Sequence, residues 1–261
     1  MSAIVSGAVI AAGEGSRLKS LGVAKPMIEV AGRPLIAHVL GNFEAAGIPS
    51  AAVIVNEDEK DVAAYIRQRF GSLVVKILIK TTRSSLESFR EVLAVAPPGR
   101  LLVSTVDAFC PPREFERFVR RASELPSQST VLGVTGFVDD EKPLWVTLRA
   151  AGERRAGGSG GRSPAEPPEK SARSRRVTVV GGASGDAVTA GIYVFPEKVR
   201  RLGIPNELGR LRDFLAWLAK SGEPIEAVDI PKVVDVDRVE DLAEAEALAS
   251  ATKASTAGGS R

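Results

Sequence analysis

From residue 4 to residue 137 the chain alternates short apolar, β-branched runs with longer stretches of helical spacing, and few architectures accept that pattern. Strands are predicted at 4–11, 51–55, 74–79, 101–106 and 130–137. Helices are predicted between them at 34–46, 57–70, 84–96 and 112–124. Pro34 stands at a first-turn position, Gly47 follows the first helix, and Pro97-Pro98 stops the third. Strand–helix–strand units bring successive strands together by crossovers, so the expected fold class is α/β, a mainly parallel sheet with helices on both faces.

The second half is patterned differently. Runs at 144–149 and 177–180 read as strands, but residues 151–176 between them hold five Gly, three Pro and ten charged residues and cannot form a packed core. That stretch is expected to be a long mobile loop. Further strands are predicted at 188–195, 225–230 and 233–236, with helices near 197–202 and 210–220. A last helix is expected from Asp237, as N-cap with Glu240 as its capping-box partner, to about Leu248. No fixed-period repeat is visible and no linker divides two cores. The expectation is therefore one domain over 1–250 with an inserted loop, followed by a flexible tail at 251–261.

Several function classes are excluded by what is scarce. One cysteine, Cys110, and one histidine, His38, rule out disulfide scaffolding, paired-cysteine zinc sites and two-imidazole mechanisms, and suit a reducing cytoplasm. Cys110 has no histidine at hand to activate it, and His38 lies in an apolar helical pattern, so both read as packing residues, as do Trp145 and Trp217. No apolar run approaches the roughly 18–20 residues of a membrane span. The first run has no basic residue ahead of it, so it reads as a buried strand and no export signal or membrane partner is expected. The net charge of +3 is misleading about nucleic acid: seven Lys and Arg against three Glu at 151–176 more than account for it. A basic stripe on a folded face is not indicated, and no nucleic-acid partner is expected.

Chemistry concentrates where the first strand ends, at Ala11-Ala12-Gly13-Glu14-Gly15-Ser16-Arg17-Leu18, with Lys25-Pro26 a few residues on. Gly13 and Gly15 let backbone N–H groups approach an anion without interference from a Cβ, and Arg17 and Lys25 bring positive charge to the same place. A Walker A loop would need Gly-Lys-Ser/Thr, and a dinucleotide fingerprint would need glycine where Leu18 stands. Both fail at a defining position.

The stretch resembles the nucleotidyltransferase family that includes sugar-1-phosphate nucleotidylyltransferases and the molybdenum-cofactor guanylyltransferase type, whose signature is Ala-Gly-x-Gly-x-Arg followed by Lys-Pro. The resemblance extends to Gly32-Arg-Pro-Leu35, Ser104-Thr-Val-Asp107, Thr189-Ala-Gly-Ile-Tyr-Val-Phe195 and Val234-Asp-Val-Asp-Arg-Val-Glu-Asp-Leu242. It implies a Rossmann-like, GT-A-like nucleotidyltransferase fold. It also implies the reaction: a phosphate oxygen of a phosphorylated acceptor attacks the α-phosphorus of an NTP and pyrophosphate leaves. Such chemistry asks for alignment and charge neutralisation more than for a protein nucleophile. On this resemblance Ala12, Gly13, Glu14, Gly15 and Ser16 cradle the nucleotide, Arg17 holds the β- and γ-phosphates, and Lys25 holds the α-phosphate.

Asp107 is expected at the carboxyl end of a strand, where open α/β sheets bind ligands. The family's second metal-binding aspartate resembles Asp235, so Asp107 and Asp235 are the expected Mg²⁺ ligands; Asp237 competes but reads better as a helix cap. Thr82, Ser84 and Ser85 are candidates for the base, although Ser84 or Ser85 could equally be a helix N-cap. Thr189 and Gly191 are expected at the acceptor. Glu141-Lys142-Pro143 looks like the Glu-Lys-Pro that holds a sugar phosphate in some relatives, but it precedes its strand pair, so Lys142 reads either as an acceptor ligand or as a solvated loop residue. Three functions stay open: transfer to a sugar 1-phosphate, cytidylyl or guanylyl transfer to a non-sugar phosphate such as phosphocholine, an inositol phosphate or a molybdopterin-like acceptor, and a nucleotide-binding regulatory module without turnover.

Overall fold

The computed structural model describes residues 3–13, 18, 21–71, 73–138, 142–150 and 175–257. Glu14, Gly15, Ser16 and Arg17, and all of the expected mobile loop but its last two residues, lie outside them.

The first half follows the crossover pattern: β1 (Ile4–Ala11), a hairpin of β2 (Glu29–Val30) and β3 (Arg33–Pro34), α1 (Leu35–Ala45), β4 (Ser50–Val55), α2 (Lys60–Arg69), β5 (Val74–Ile79), α3 (Ser85–Val95), β6 (Arg100–Thr105), β7 (Ala108–Phe109) and α4 (Pro112–Glu124). The second half holds β8 (Thr130–Thr135), β9 (Trp145–Ala150), β10 (Arg175–Val180), β11 (Ala187–Phe195), a 3₁₀ turn at Glu197–Arg201, α5 (Leu211–Lys220), β12 (Ile225–Asp229), β13 (Val234–Asp235) and α6 (Val239–Ala257). Arg175 and Arg176, expected in the loop, belong to β10 and pair with β9. The last helix continues past Leu248 to Ala257, as the alanine-rich Ala-Thr-Lys-Ala-Ser-Thr-Ala segment favours.

Among the described residues nine strands form one sheet in the order β5-β4-β1-β6-β11-β8-β12-β10-β9. The pairs β5–β4, β4–β1, β1–β6 and β8–β12 are parallel. The sheet as a whole is mixed, which corrects the expectation of a mainly parallel one. β11 inserts between β6 and β8 and runs against both, and β9 and β10 form an antiparallel pair beyond β12. Among the described residues no helix lies between β9 and β11, and antiparallel strands need no crossover.

Strand alternation divides the core into two layers. Val9, Ala11, Val53 and Val55 face Phe43, Ile66, Phe115 and Ala245, on α1, α2, α4 and α6. Ala8, Ile10, Ala52 and Ile54 face Phe89, Phe214 and Leu218, on α3 and α5. Helices therefore cover both faces. Phe43 lies so close over β1 that a Cβ on Gly7 would come within 2.3 Å of its ring. Full burial of a side chain of that size stabilises by about 1.5–3 kcal/mol. Gly47 ends α1 with φ +71°, and Ile48 N–H donates to the Phe43 carbonyl at 2.9 Å, the six-residue closure typical of a helix end with glycine in the left-handed region. No helix among the described residues is long and apolar enough to cross a membrane.

Candidate active site

Asp107 and Asp235 are separated by 128 positions in the chain, and a two-stranded ribbon brings them together. β6 ends at Thr105, Asp107 lies in the turn that follows, and β7 pairs antiparallel with β13 so that Ala108 faces Asp235 and Phe109 faces Val234. Val236 N–H then donates to the Asp107 carbonyl at 3.0 Å. One carboxylate oxygen from each of Asp107, Asp235 and Asp237 lies within 4.8 Å of the other two.

Lys25 reaches the same point from the other side. It opens a 3₁₀ turn with Pro26 at its start, and its Nζ donates to Asp107 Oδ2 at 2.6 Å and to Asp237 Oδ1. The lysine side chain is only 9% exposed. Burial alone would pull its pKa down, but the charges and hydrogen bonds of Asp107 and Asp237 outweigh it and raise it above the ordinary value. Burial pushes the Asp107 carboxyl up, while the Lys25 ammonium and the Thr105 hydroxyl overcome this and hold it below the usual carboxylate range. Both partners are thus ionised at neutral pH.

Asp237 is placed differently from its sequence reading. Its carboxylate pairs with Lys25, and the start of α6 is capped from inside the helix: Asp241 Oδ2 accepts from Asp237 N–H at 2.9 Å and from Arg238 N–H at 2.7 Å. The period-2 spacing Asp235-x-Asp237 was the available signal that both carboxylates could serve one site.

Two cavities meet at this cluster. The first, of about 470 Å³, is lined by Ala12, Gly13, Lys25, Thr82, Ser84, Ser85, Asp107 and Asp237, among others. It lies at the carboxyl ends of β1 and β6. Ser84 settles one open choice: it is the N-cap of α3, its Oγ accepting from Glu87 N–H at 3.2 Å, and it also lines the cavity. Ser85 Oγ instead accepts from Leu211 N–H at 3.0 Å, tying α3 to α5. Thr82 and Ser88 share a hydroxyl–hydroxyl bond of 2.7 Å.

The second cavity, of about 190 Å³, shares Ser85, Thr105 and Asp107 with the first and adds Thr189, Gly191, Tyr193, Arg212 and Asp235. Gly191 has φ +69°, and a Cβ there would stand 2.6 Å from Thr105 Oγ1 and 2.8 Å from Ala108 Cβ. Its bareness is required by β11 packing over the end of β6. Tyr193 is pushed up to about 12, by burial above all, with Asp235 and Asp107 adding to the shift and a Thr189 hydrogen bond opposing it. Lys142 is present through its backbone, its carbonyl accepting from Arg212 at 3.0 Å. Sequence reading weighed Asp237 for the site but preferred it as a helix cap, and it did not single out Tyr193 or Arg212. His38 and Cys110 line neither cavity: His38 packs edge-on against Phe109 and bonds the Val30 carbonyl, and Cys110 is buried, which pushes its thiol up.

The profile of the MobA-like NTP transferase domain matches residues 7–163, more than half of the chain. The chain belongs to the MobA-like NTP transferase family. Among curated relatives, this chain is 27% identical over 146 residues to the bifunctional protein GlmU of Symbiobacterium thermophilum, covering 56% of this chain and 30% of that protein. It is 34% identical over 107 residues to the N-acetylmuramate alpha-1-phosphate uridylyltransferase of Caulobacter vibrioides, covering 38% and 44%. The matched stretch thus spans less than half of either relative. In fold the chain is similar to the inositol-1-phosphate CTP transferase of T. maritima, with a TM-score of 0.76 at 19% identity over 97% of this chain and 98% of that one. It is also similar to a UDP-glucose pyrophosphorylase complexed with UDP-glucose, with a TM-score of 0.73 at 16% identity over 95% and 98%.

Proposed function

We infer that this protein moves a nucleoside monophosphate from an NTP to the phosphate of a small acceptor, a sugar 1-phosphate in first place, releasing pyrophosphate. The observation that carries this reading is the pair of cavities meeting at Asp107, with Lys25 at the junction. The larger cavity suits the nucleotide, since it combines the Gly13 backbone and the hydroxyls of Thr82, Ser84 and Ser85 with a buried cation. The smaller suits an acceptor approaching the α-phosphorus from the opposite side. Lys25 is positioned to meet charge building on the α-phosphate, and Arg17 is proposed for the β- and γ-phosphates.

Three clustered carboxylates suit a hard divalent cation, for which Mg²⁺ is the natural choice. Asp107, Asp235 and Asp237 would hold it. When bound it would neutralise phosphate charge and orient the triphosphate. Lys25 offsets only one of the three negative charges, which supports a need for further positive charge here.

The N-acetylmuramate alpha-1-phosphate uridylyltransferase and the UDP-glucose pyrophosphorylase favour a sugar phosphate by their names. The near full-length similarity to an inositol-1-phosphate CTP transferase keeps a cyclitol phosphate with CTP as the second reading. The test is to incubate the protein and Mg²⁺ with each of the four NTPs against hexose 1-phosphates, N-acetylhexosamine 1-phosphates, N-acetylmuramate 1-phosphate, inositol 1-phosphate and phosphocholine. Acceptor-dependent pyrophosphate release is expected for one pairing, and Lys25→Ala should lower it by at least about 100-fold, the scale of losing one electrostatic donor. No release with any pairing would overturn the reading.

A further inference from the structure

Arg212 has no counterpart among the residues that the glycine loop, the aspartates or the Lys-Pro pair would suggest, yet it lines the acceptor-side cavity. Among the described residues it is the one Lys or Arg on that lining, which otherwise carries the carboxylates of Asp107 and Asp235 together with hydroxyls and apolar groups. A phosphomonoester entering there brings close to two negative charges toward two carboxylates. Lys25 lines the other cavity and is held between Asp107 and Asp237. The acceptor side therefore needs a cation of its own.

The local structure holds Arg212 ready. It is the second residue of α5, a helix of ten residues whose start is tied to α3 by the Leu211–Ser85 bond. Its guanidinium donates to the Lys142 carbonyl at 3.0 Å, which fixes the side chain against the cavity rim. A guanidinium carries five N–H donors in a rigid fork suited to two phosphate oxygens, and the Lys142 carbonyl occupies one of them. Tyr193, Asp107 and Asp235 line the same cavity as Arg212. All four side chains therefore address one small volume.

We propose that Arg212 binds the phosphate of the acceptor and selects phosphomonoesters for the second cavity. This rests on the nucleotidyl-transfer reading above and assigns to Arg212 the role considered for Lys142. With the acceptor that wild type uses, Arg212→Gln should raise the acceptor KM at least tenfold while leaving the NTP KM within twofold, and Arg212→Lys should restore part of the loss, since a point charge cannot bond in a fork. An equilibrium readout stands beside the kinetics. With a non-hydrolysable α,β-methylene NTP filling the nucleotide cavity, titration of inorganic phosphate by calorimetry should show a site in wild type that Arg212→Gln weakens at least tenfold.

If wild type releases pyrophosphate and Arg212→Gln keeps both the acceptor KM and phosphate binding, the assignment is wrong and the transfer reading survives. If both KM values rise together, the residue serves the fold of the site and the assignment is likewise wrong. If wild type turns over no acceptor at all, the transfer reading itself is overturned, and with it the role given to Arg212.

Discussion

Two acidic residues show how burial and partners decide opposite outcomes. Asp107 is held low beside Lys25, so its contribution to stability is present above its unfolded value near pH 4 and fades only as acid protonates the folded carboxylate. Lys25 is held high, so its contribution is present below about pH 10.4 and is lost only above that. The ion pair therefore persists from about pH 5 to pH 10, which spans any working pH for phosphate chemistry. Glu59, just ahead of α2, is the reverse case. Burial pushes it up to about 7, with Asp58 adding to the shift and an Asn56 hydrogen bond opposing it. Among the described residues its buried Oε2 has no hydrogen-bond partner. A carboxyl raised in the folded state favours folding while protonated, so stability should fall as the pH rises from about 4.3 through 7. Glu59→Gln should stabilise the protein by about 1–2 kcal/mol at pH 8 and much less at pH 5, a figure reduced for the partial exposure of the group. Urea unfolding at both pH values checks this; equal stability of the two proteins at pH 8 would contradict it.

At the level of elements, the two-residue strands β7 and β13 matter more than their length suggests. They join Asp107 to Asp235 and Asp237 across the end of the sheet, and α6 anchors them through Asp241, whose side chain is 3% exposed. Asp241 accepts two backbone N–H bonds and one from the Arg238 side chain. Asp241→Ala should cost about 1–2 kcal/mol in urea or thermal unfolding, the range for losing a helix cap. It should also lower turnover, because Asp237 loses the bond that places its backbone. Unchanged stability would show that α6 is capped otherwise. This ribbon was hardly legible beforehand. Asp107 could be read from its place after an apolar run, but Asp237 ahead of Arg-Val-Glu looks like a local cap, and nothing within four residues shows a contact with Lys25, 212 positions away. Arg212 was hidden for a similar reason: a charge at the start of an amphipathic helix reads as solvated until the neighbouring strand is placed.

For the molecule as a whole, periodicity was enough to place most strands and helices, because β1, β4 and β6 are buried runs, β5 is an apolar run at the sheet edge, and the helices joining them carry their own punctuation. The direction of β11 was not readable. Its residues suit a parallel or an antiparallel neighbour equally, and only the lack of a crossover helix before it made the sheet mixed. That reversal has a functional consequence: with β11 running against β6, Gly191 crosses over Thr105 and the second cavity forms directly beside Asp107. One end of the sheet thus carries both cavities, proposed for nucleotide and acceptor, with one carboxylate–lysine junction between them. The claim on which all of this depends is that the bond broken lies between the α- and β-phosphates. It is tested most directly by following label from an NTP carrying ³²P at the α position, and separately at the γ position, with the acceptor that supports turnover. The α label should appear in the acceptor conjugate and the γ label in pyrophosphate, with both transfers lost in Asp107→Asn; γ label in the acceptor would mean phosphoryl transfer and contradict the assignment of both cavities.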